Sequence, residues 1–171
     1  ADRPKAQQYI GKYYNAGELK ELLDKTVNDP IHIVIFLAAY YGLRRSEVLG
    51  LKWSAVDFEN KTVSISHKVV QNDKGVVGMD VMKTKSSYRT LPLIPQVEEV
   101  LLAEKEKQEE MKRVMRRGYC RRYTDYVCVD AIGELIKPNY VTDHFKVVLK
   151  EKGLKPVRFH DLRHSCASLL L

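Results

Sequence analysis

The spacing of hydrophobic residues shifts along the chain, and each spacing predicts a different element. Leu19, Leu22 and Leu23 form a short apolar stripe, and Asn15 with Glu18 three residues later has the form of a capping box. Folding is expected to begin there, after a loose leader at residues 1–13. Asp29-Pro30 reads as a second helix start, a cap followed by proline at the first helical position. The residues from Ile31 to Tyr41 are almost wholly apolar, so that helix should lie in the middle of the domain. Gly42 breaks it, and Ser46 can cap a short helix over Glu47 to Leu51.

The period then drops to two. Val63, Ile65 and His67 alternate with Thr62, Ser64 and Ser66, the pattern of a half-buried strand. Asn72-Asp73-Lys74-Gly75 is a turn cluster, Val76 to Met82 a second strand, and Tyr88 to Leu93 a third, closed by Pro92 and Pro95. These strands are expected to form one small meander. Helical character returns from Gln96 to about Arg117 and again from Pro138 to Lys152, where Val141, Phe145, Val148 and Leu149 share a face. Gly153 stops that helix, and a last one begins near Phe159. The fold class expected is mostly α with a small three-stranded antiparallel sheet, an α+β domain over residues 14–171.

Charge narrows the function. Lys and Arg number 29 against 22 Asp and Glu, a net charge of +7 that favours a polyanionic partner, nucleic acid or an anionic membrane face. The apolar stretch Ile31 to Leu43 is broken by His32 and is too short to span a bilayer. The polar start, Ala1 to Lys12, shows no signal peptide. Cys120, Cys128 and Cys166 form no close pair, which fits reduced thiols better than a disulfide frame or a zinc ribbon.

Three stretches, Tyr41 to Trp53, Met82 to Leu93 and Phe159 to Ser165, combine cations with a change of backbone direction. Two arginines can fork onto the non-bridging oxygens of a phosphodiester. A lysine on a hairpin tip can protonate a leaving oxygen, and a histidine can exchange a proton with a nucleophile or bond the phosphate. Cations aimed at a pentacoordinate phosphorus stabilise its developing charge without a metal. No metal and no cofactor is therefore expected.

In order and spacing, the three stretches resemble the catalytic domain of tyrosine recombinases, the phage-integrase family of DNA breaking and rejoining enzymes. Gly42 to Glu47 is similar to the family's first arginine motif, and Lys83-Thr84 with Ser86, Arg89 and Pro92-Leu93 to its β-hairpin lysine motif. His160-Asp161-Leu162-Arg163-His164 is similar to its His-x-x-Arg motif. The resemblance implies Arg44 and Arg163 as a phosphate clamp, Lys83 as the acid for the departing 5′-oxygen, and His160 as proton exchanger or phosphate contact. It implies Glu47 as support for the first arginine and His164 as a structural neighbour, with Arg45 and Lys85 as candidate contacts to DNA phosphate. The partners implied are double-stranded DNA and other recombinase protomers, with no membrane, in the cytoplasm and at the nucleoid when DNA is bound.

One feature departs from the family pattern. The family continues to a further His or Trp and then the nucleophilic tyrosine, whereas all ten tyrosines here precede His160, the last being Tyr140. The chain reads as a catalytic-domain fragment without the nucleophile, inactive alone, with an apolar end at Cys166, Leu169 and Leu170 open to self-association. A different class of reading is a non-catalytic DNA-binding module on the same scaffold. A third is a zinc hydrolase using His160 and His164, spaced four apart on a helix, against which Arg163 sets a cation beside the metal position. Arg44 and Glu47 also fit a plain surface pair, and Lys83 and Lys85 hairpin solvation. Between Glu98 and Arg122 acids come first and bases last, as suits a solvated helix. Trp53 reads as core, and Tyr119, Tyr123 and Tyr126 as packing residues near a loop.

Overall fold

The computed structural model describes residues 12–169. Most of the predicted leader, residues 1–11, and the side chains of Leu169 and Leu170 lie outside the described residues. The first helix, α1 (Ala16–Lys25), opens with the predicted box: Glu18 N–H donates to Asn15 Oδ1 at 2.8 Å, and Asn15 N–H to Glu18 Oε1 at 3.1 Å. Tyr14, just ahead of it, is already buried. Its N–H donates to Ser165 Oγ at 2.8 Å and its hydroxyl to the Lys155 carbonyl, tying the start of the domain to its last helix.

Helix α2 (His32–Tyr41) is the centre of the core, with Ile33 to Ala39 all buried. It starts later than Asp29-Pro30 predicts, because the Asp29 carboxylate is engaged elsewhere. One of its oxygens accepts Ile31 N–H at 3.0 Å, both face His144 Nε2 at 2.9–3.0 Å, and the Asp29 carbonyl takes His32 N–H, so residues 29–31 form a turn. Gly42, at φ 63°, closes α2. The short α3 (Arg45–Leu49) also begins ahead of its predicted cap. Glu47 reaches back to accept Arg44 N–H at 2.8 Å, which makes Arg44 the cap position and puts Ser46 inside the helix.

The three-stranded sheet exists, but its membership differs from the expected meander. It consists of β1 (Val56–Asp57), β2 (Thr62–Ile65) and β5 (Arg89–Pro92), all antiparallel in the order β1-β2-β5. Strand β1 is too short to show any periodicity. The alternation running on to His67 overstates β2, because Ile65 lies opposite Arg89, where β5 begins, and Tyr88, next in register, gives its N–H to the Lys85 carbonyl at 3.2 Å. The predicted second strand belongs instead to a separate ribbon of β3 (Lys68–Asn72) and β4 (Gly75–Met79), turned at Asp73-Lys74 as the turn cluster predicts.

The rest follows the sequence closely. Helix α4 (Pro95–Met115) is the long charged helix, and it buries only Val97, Leu101 and Gln108. Helix α5 (Pro138–Glu151) buries Val141, Phe145, Val148 and Leu149 as its apolar face requires. A 3-10 turn at Phe159–Asp161 leads into α6 (Leu162–Leu169), which packs on α2 and α1. Trp53 sits half-buried at the core edge, donating to Gln108 Oε1 at 3.1 Å. Cys166, expected on an uncovered end, is buried, and its thiol donates to the Tyr40 carbonyl at 3.2 Å.

Candidate active site

Arg44 and Arg163 come from distant parts of the chain and meet because of Gly42. Glycine's freedom at positive φ lets α2 end abruptly and α3 start at once. Helix α6 lies against that junction: a Cβ on Gly42 would stand at ordinary contact distance, 3.4 Å from Cys166 Cβ and Sγ and 3.7 Å from the Arg163 carbonyl, so the positive φ is what calls for glycine. The first turn of α6 thus sits beside the N-terminus of α3.

Cations gathered this way repel, and a buried carboxylate offsets that. Glu47 is 2% exposed and faces three arginines. Arg89 donates from both terminal nitrogens, at 2.9 Å to Oε2 and 3.3 Å to Oε1, while Arg44 Nη1 lies 3.9 Å from Oε2. Arg163 is within electrostatic reach of Arg44, Glu47 and Arg89. Burial pushes the Glu47 carboxyl up, but hydrogen bonds from Arg89 and the Arg44 backbone, together with both guanidinium charges, hold it below its ordinary 4.5. Burial and then the Arg44 charge lower Arg163, with Glu47 opposing, though a guanidinium stays charged near neutrality.

His160 completes one side of this cluster. A cleft of about 410 Å³ is lined by Arg44, Arg45, Lys146, Arg158 and His160 among others. Partial desolvation, then Arg163, His164 and Arg158, push His160 below its ordinary 6.5 against the pull of Asp161. The 3-10 turn that carries it is fastened by Asp161, a fully buried carboxylate that accepts Arg158 N–H at 2.9 Å and Arg158 Nη2 at 3.0 Å. Those bonds outweigh burial and hold Asp161 below 3.8. His164 is exposed one turn on, its ring edge-on to His160 at 6.3 Å and tilted towards Tyr13 at 6.4 Å. Arg45 is partly committed to α5, donating to the Pro138 carbonyl at 3.1 Å and Thr142 Oγ1 at 2.6 Å.

Lys83 is not brought into direct contact with this group. It is exposed in the segment joining β4 to a 3-10 turn at Lys85–Ser87 and not on the expected hairpin turn, because β4 pairs with β3 and β5 with β2. Lys85 is exposed beside it. Arg89 links that segment to the cluster, donating to the Ser87 carbonyl at 2.8 Å as well as to Glu47. Arg89 lies in the lysine motif, but nothing local in the sequence marks its part in the cluster. The available signal was Glu47 itself, since a carboxylate buried on an apolar helix requires a cation beyond its own turn. Arg158 and Asp161 were likewise passed over. Among the described residues no three His, Cys, Asp or Glu side chains are grouped to hold a metal.

A larger apolar hollow of about 740 Å³, bounded by Pro30, Val76, Tyr123, Ile136 and Tyr140, gathers none of these side chains. Among the described residues no helix is long and apolar enough to cross a membrane.

Residues 12–171 match the model of the phage integrase family. The chain is 28% identical over 162 residues to a tyrosine recombinase XerC-like protein of Caldanaerobacter subterraneus subsp. tengcongensis, covering 90% of this chain and 41% of that one. It is 26% identical over 167 residues to the ICEBs1 integrase of Bacillus subtilis, covering 94% and 43%. The chain thus spans about two-fifths of the length of these curated relatives. Among solved structures, the Tn1549 transposon integrase in complex with a circular intermediate DNA superposes with a TM-score of 0.74 at 18% identity, over 95% of this chain and 54% of that one. XerA recombinase superposes at 0.66 and 20% identity, over 94% and 51%. At such identities the superpositions establish the fold.

Proposed function

The chain belongs to the phage integrase family, and from that membership we propose that it forms the phosphate-gripping part of the catalytic domain of a site-specific tyrosine recombinase. The observation that carries this reading is the grouping of Arg44 and His160 on one cleft, with Arg163 within electrostatic reach of both and the buried Glu47 behind Arg44. Its substrate is double-stranded DNA. Other protomers of the same recombinase act with it on DNA, and the work is done in the cytoplasm, at the nucleoid.

The chemistry follows from the side chains. Arg44 and Arg163 donate to the non-bridging oxygens of the scissile phosphate and stabilise the extra negative charge of the pentacoordinate state. His160, neutral at pH 7 because its pKa is pushed below 6.5, accepts the proton of the attacking tyrosine hydroxyl or bonds the phosphate. As the P–O5′ bond breaks, the Lys83 ammonium gives its proton to the departing oxygen. No tyrosine follows Tyr140, and the attacking hydroxyl is assigned to no residue of this chain.

The test separates binding from chemistry. This chain should bind duplex DNA with little sequence preference, and its affinity should drop steeply between low and physiological salt as counterions are released. The intact recombinase carrying this sequence should form a covalent protein–DNA complex on a nicked suicide duplex, and this chain alone should form none. Salt-independent binding would sink the phosphate-gripping reading. Binding without covalent complex from the intact protein would favour the non-catalytic module instead.

A further inference from the structure

Lys83 needs a fixed base if its ammonium is to find one leaving oxygen, yet its side chain has no hydrogen-bond or ion-pair partner among the described residues. What holds its segment is a relay that the reading above does not use. Three residues before Lys83, the Asp80 carboxylate meets His67 Nδ1 at 2.6 Å, and the other ring nitrogen of His67 meets the Tyr126 hydroxyl at 2.8 Å. Tyr126 is in turn anchored next to α3. It bridges Lys52 in an antiparallel pair, its ring lies under the Lys52 ammonium at 5.3 Å, and the flanking backbone pairs Val127 N–H with the Leu51 carbonyl and Trp53 N–H with that of Asp125. The relay therefore runs from the lysine segment to the chain that follows directly on Arg44 and Glu47.

Two features set this apart from incidental surface bonding. The Asp80 side chain is 87% exposed, so it has no buried charge to neutralise, and an ion pair with one partner so open adds little to stability. His67, at 11% exposed, is the fixed member. The ribbon is also shaped for the relay: a Cβ on Gly78 would stand 2.8 Å from both His67 Nε2 and the Tyr126 hydroxyl, so β4 crosses directly over that hydrogen bond only as glycine. On the far side Tyr88 completes the brace, its hydroxyl accepting Met82 N–H at 2.9 Å and donating to the Asp80 carbonyl at 2.6 Å.

We propose that His67 is a positioning residue that, through Asp80, fixes the base of the segment presenting Lys83 to the leaving oxygen. This rests on the reading of Lys83 as the proton donor. It predicts a defect confined to leaving-group protonation, which substrate chemistry can isolate. In a duplex whose bridging 5′-oxygen at the cleaved bond is replaced by sulfur, the leaving thiolate is far less basic than an alkoxide and departs without a proton donor.

Cleavage by the intact recombinase is measured on matched oxygen and sulfur suicide duplexes for Asp80→Ala, His67→Gln and Lys83→Ala, with the Tm of each variant. Asp80→Ala, a change at an exposed side chain, should keep its Tm and lose roughly ten- to hundred-fold on the oxygen duplex while recovering most of the loss on the sulfur one. His67→Gln should repeat that pattern. An equal loss on both duplexes, or no loss on either, would overturn the positioning role. If Lys83→Ala itself gains nothing from sulfur, the proton-donor reading fails and this inference falls with it. If Lys83→Ala is rescued and Asp80→Ala is not, only the relay is wrong.

Discussion

Arg44, Arg89 and Arg163 are half-buried around one carboxylate, whereas Lys83 and Lys85 are exposed on a connecting segment. Both regions are cationic, and both came from short motifs with similar density of basic residues. The difference lies in what holds them. The arginines are placed by helix packing, the Gly42 junction and the buried Glu47, so their mutual repulsion is met during folding and their donors are preorganised. The lysine segment is held by hydrogen bonds at its base and leaves the Lys83 side chain exposed, which on the proposed reading lets it follow an oxygen that moves as its bond breaks. Charge stabilisation suits a rigid site, and proton delivery suits an adjustable one.

The largest effect should come from the rigid side. Arg163→Ala in the intact recombinase should cut covalent-complex formation by about a thousand-fold, because its charge is concentrated at the reacting phosphate. Duplex affinity should change by less than about ten-fold, since binding is shared among many backbone contacts. Gel quantitation of trapped complex beside a binding titration checks both, and undiminished cleavage would remove Arg163 from the site.

On the adjustable side the balance between activity and stability should differ. Lys83→Ala should reduce cleavage about a hundred-fold. Urea unfolding of this chain carrying the same change should stay within about 0.5 kcal/mol of the parent, as befits an exposed side chain. A clear loss of stability would mean that Lys83 has structural work and that the contrast between the regions is overdrawn.

Glu47→Gln reverses that balance. Removing the charge leaves three guanidinium groups facing one another around a buried amide, at a cost of roughly 3 kcal/mol of stability. The acid dependence should change with it. Glu47 is depressed in the folded chain, so its contribution is fully present above the ordinary 4.5 and is lost as pH falls through the lower folded value. Unfolding curves collected downwards from pH 6 should show the parent losing stability below about pH 4.5. Glu47→Gln should show a shallower slope there, with the residual slope coming partly from Asp161, which is depressed in the same sense.

What could be read from the sequence was whatever rests on local signals. The Asn15–Glu18 box, the Asn72 to Gly75 turn, the glycine stops at Gly42 and Gly153 and the apolar face of α5 all stand where spacing put them. Arg44, His160 and Arg163 each lie in a motif with its own local form; Arg44 and His160 line one cleft, and Arg163 is within electrostatic reach of both. The failures are long-range. Asp29 did not cap α2 because His144, on another helix, shares its carboxylate. Arg89 could not be paired with Glu47, nor His67 with Tyr126, since no local pattern links residues 42 and 59 positions apart. The sheet was misassembled for the same reason: pairing partners are chosen by register, and β1 is too short to announce itself.

The smallest effect bears on how rigid the arginine side is. Gly42→Ala places an L side chain at φ 63°, a strain of about 1–2 kcal/mol. The added methyl would stand 3.4 Å from Cys166 Cβ and Sγ, an ordinary contact, so strain at Gly42 and not collision sets the cost. Thermal unfolding of this chain should therefore register a loss near 1 kcal/mol. The consequence for the site should be one-sided. Relaxing that strain moves the α2–α3 junction, against which Arg163 and Cys166 lie, while the bonds that brace the Lys83 segment come from Tyr88, His67 and Arg89. Amide hydrogen exchange should accelerate around Leu162 to Cys166 and stay unchanged from Asp80 to Ser87. Equal acceleration in both segments would show that the two cationic regions unfold as one unit, and the division between a rigid clamp and an adjustable donor would not hold.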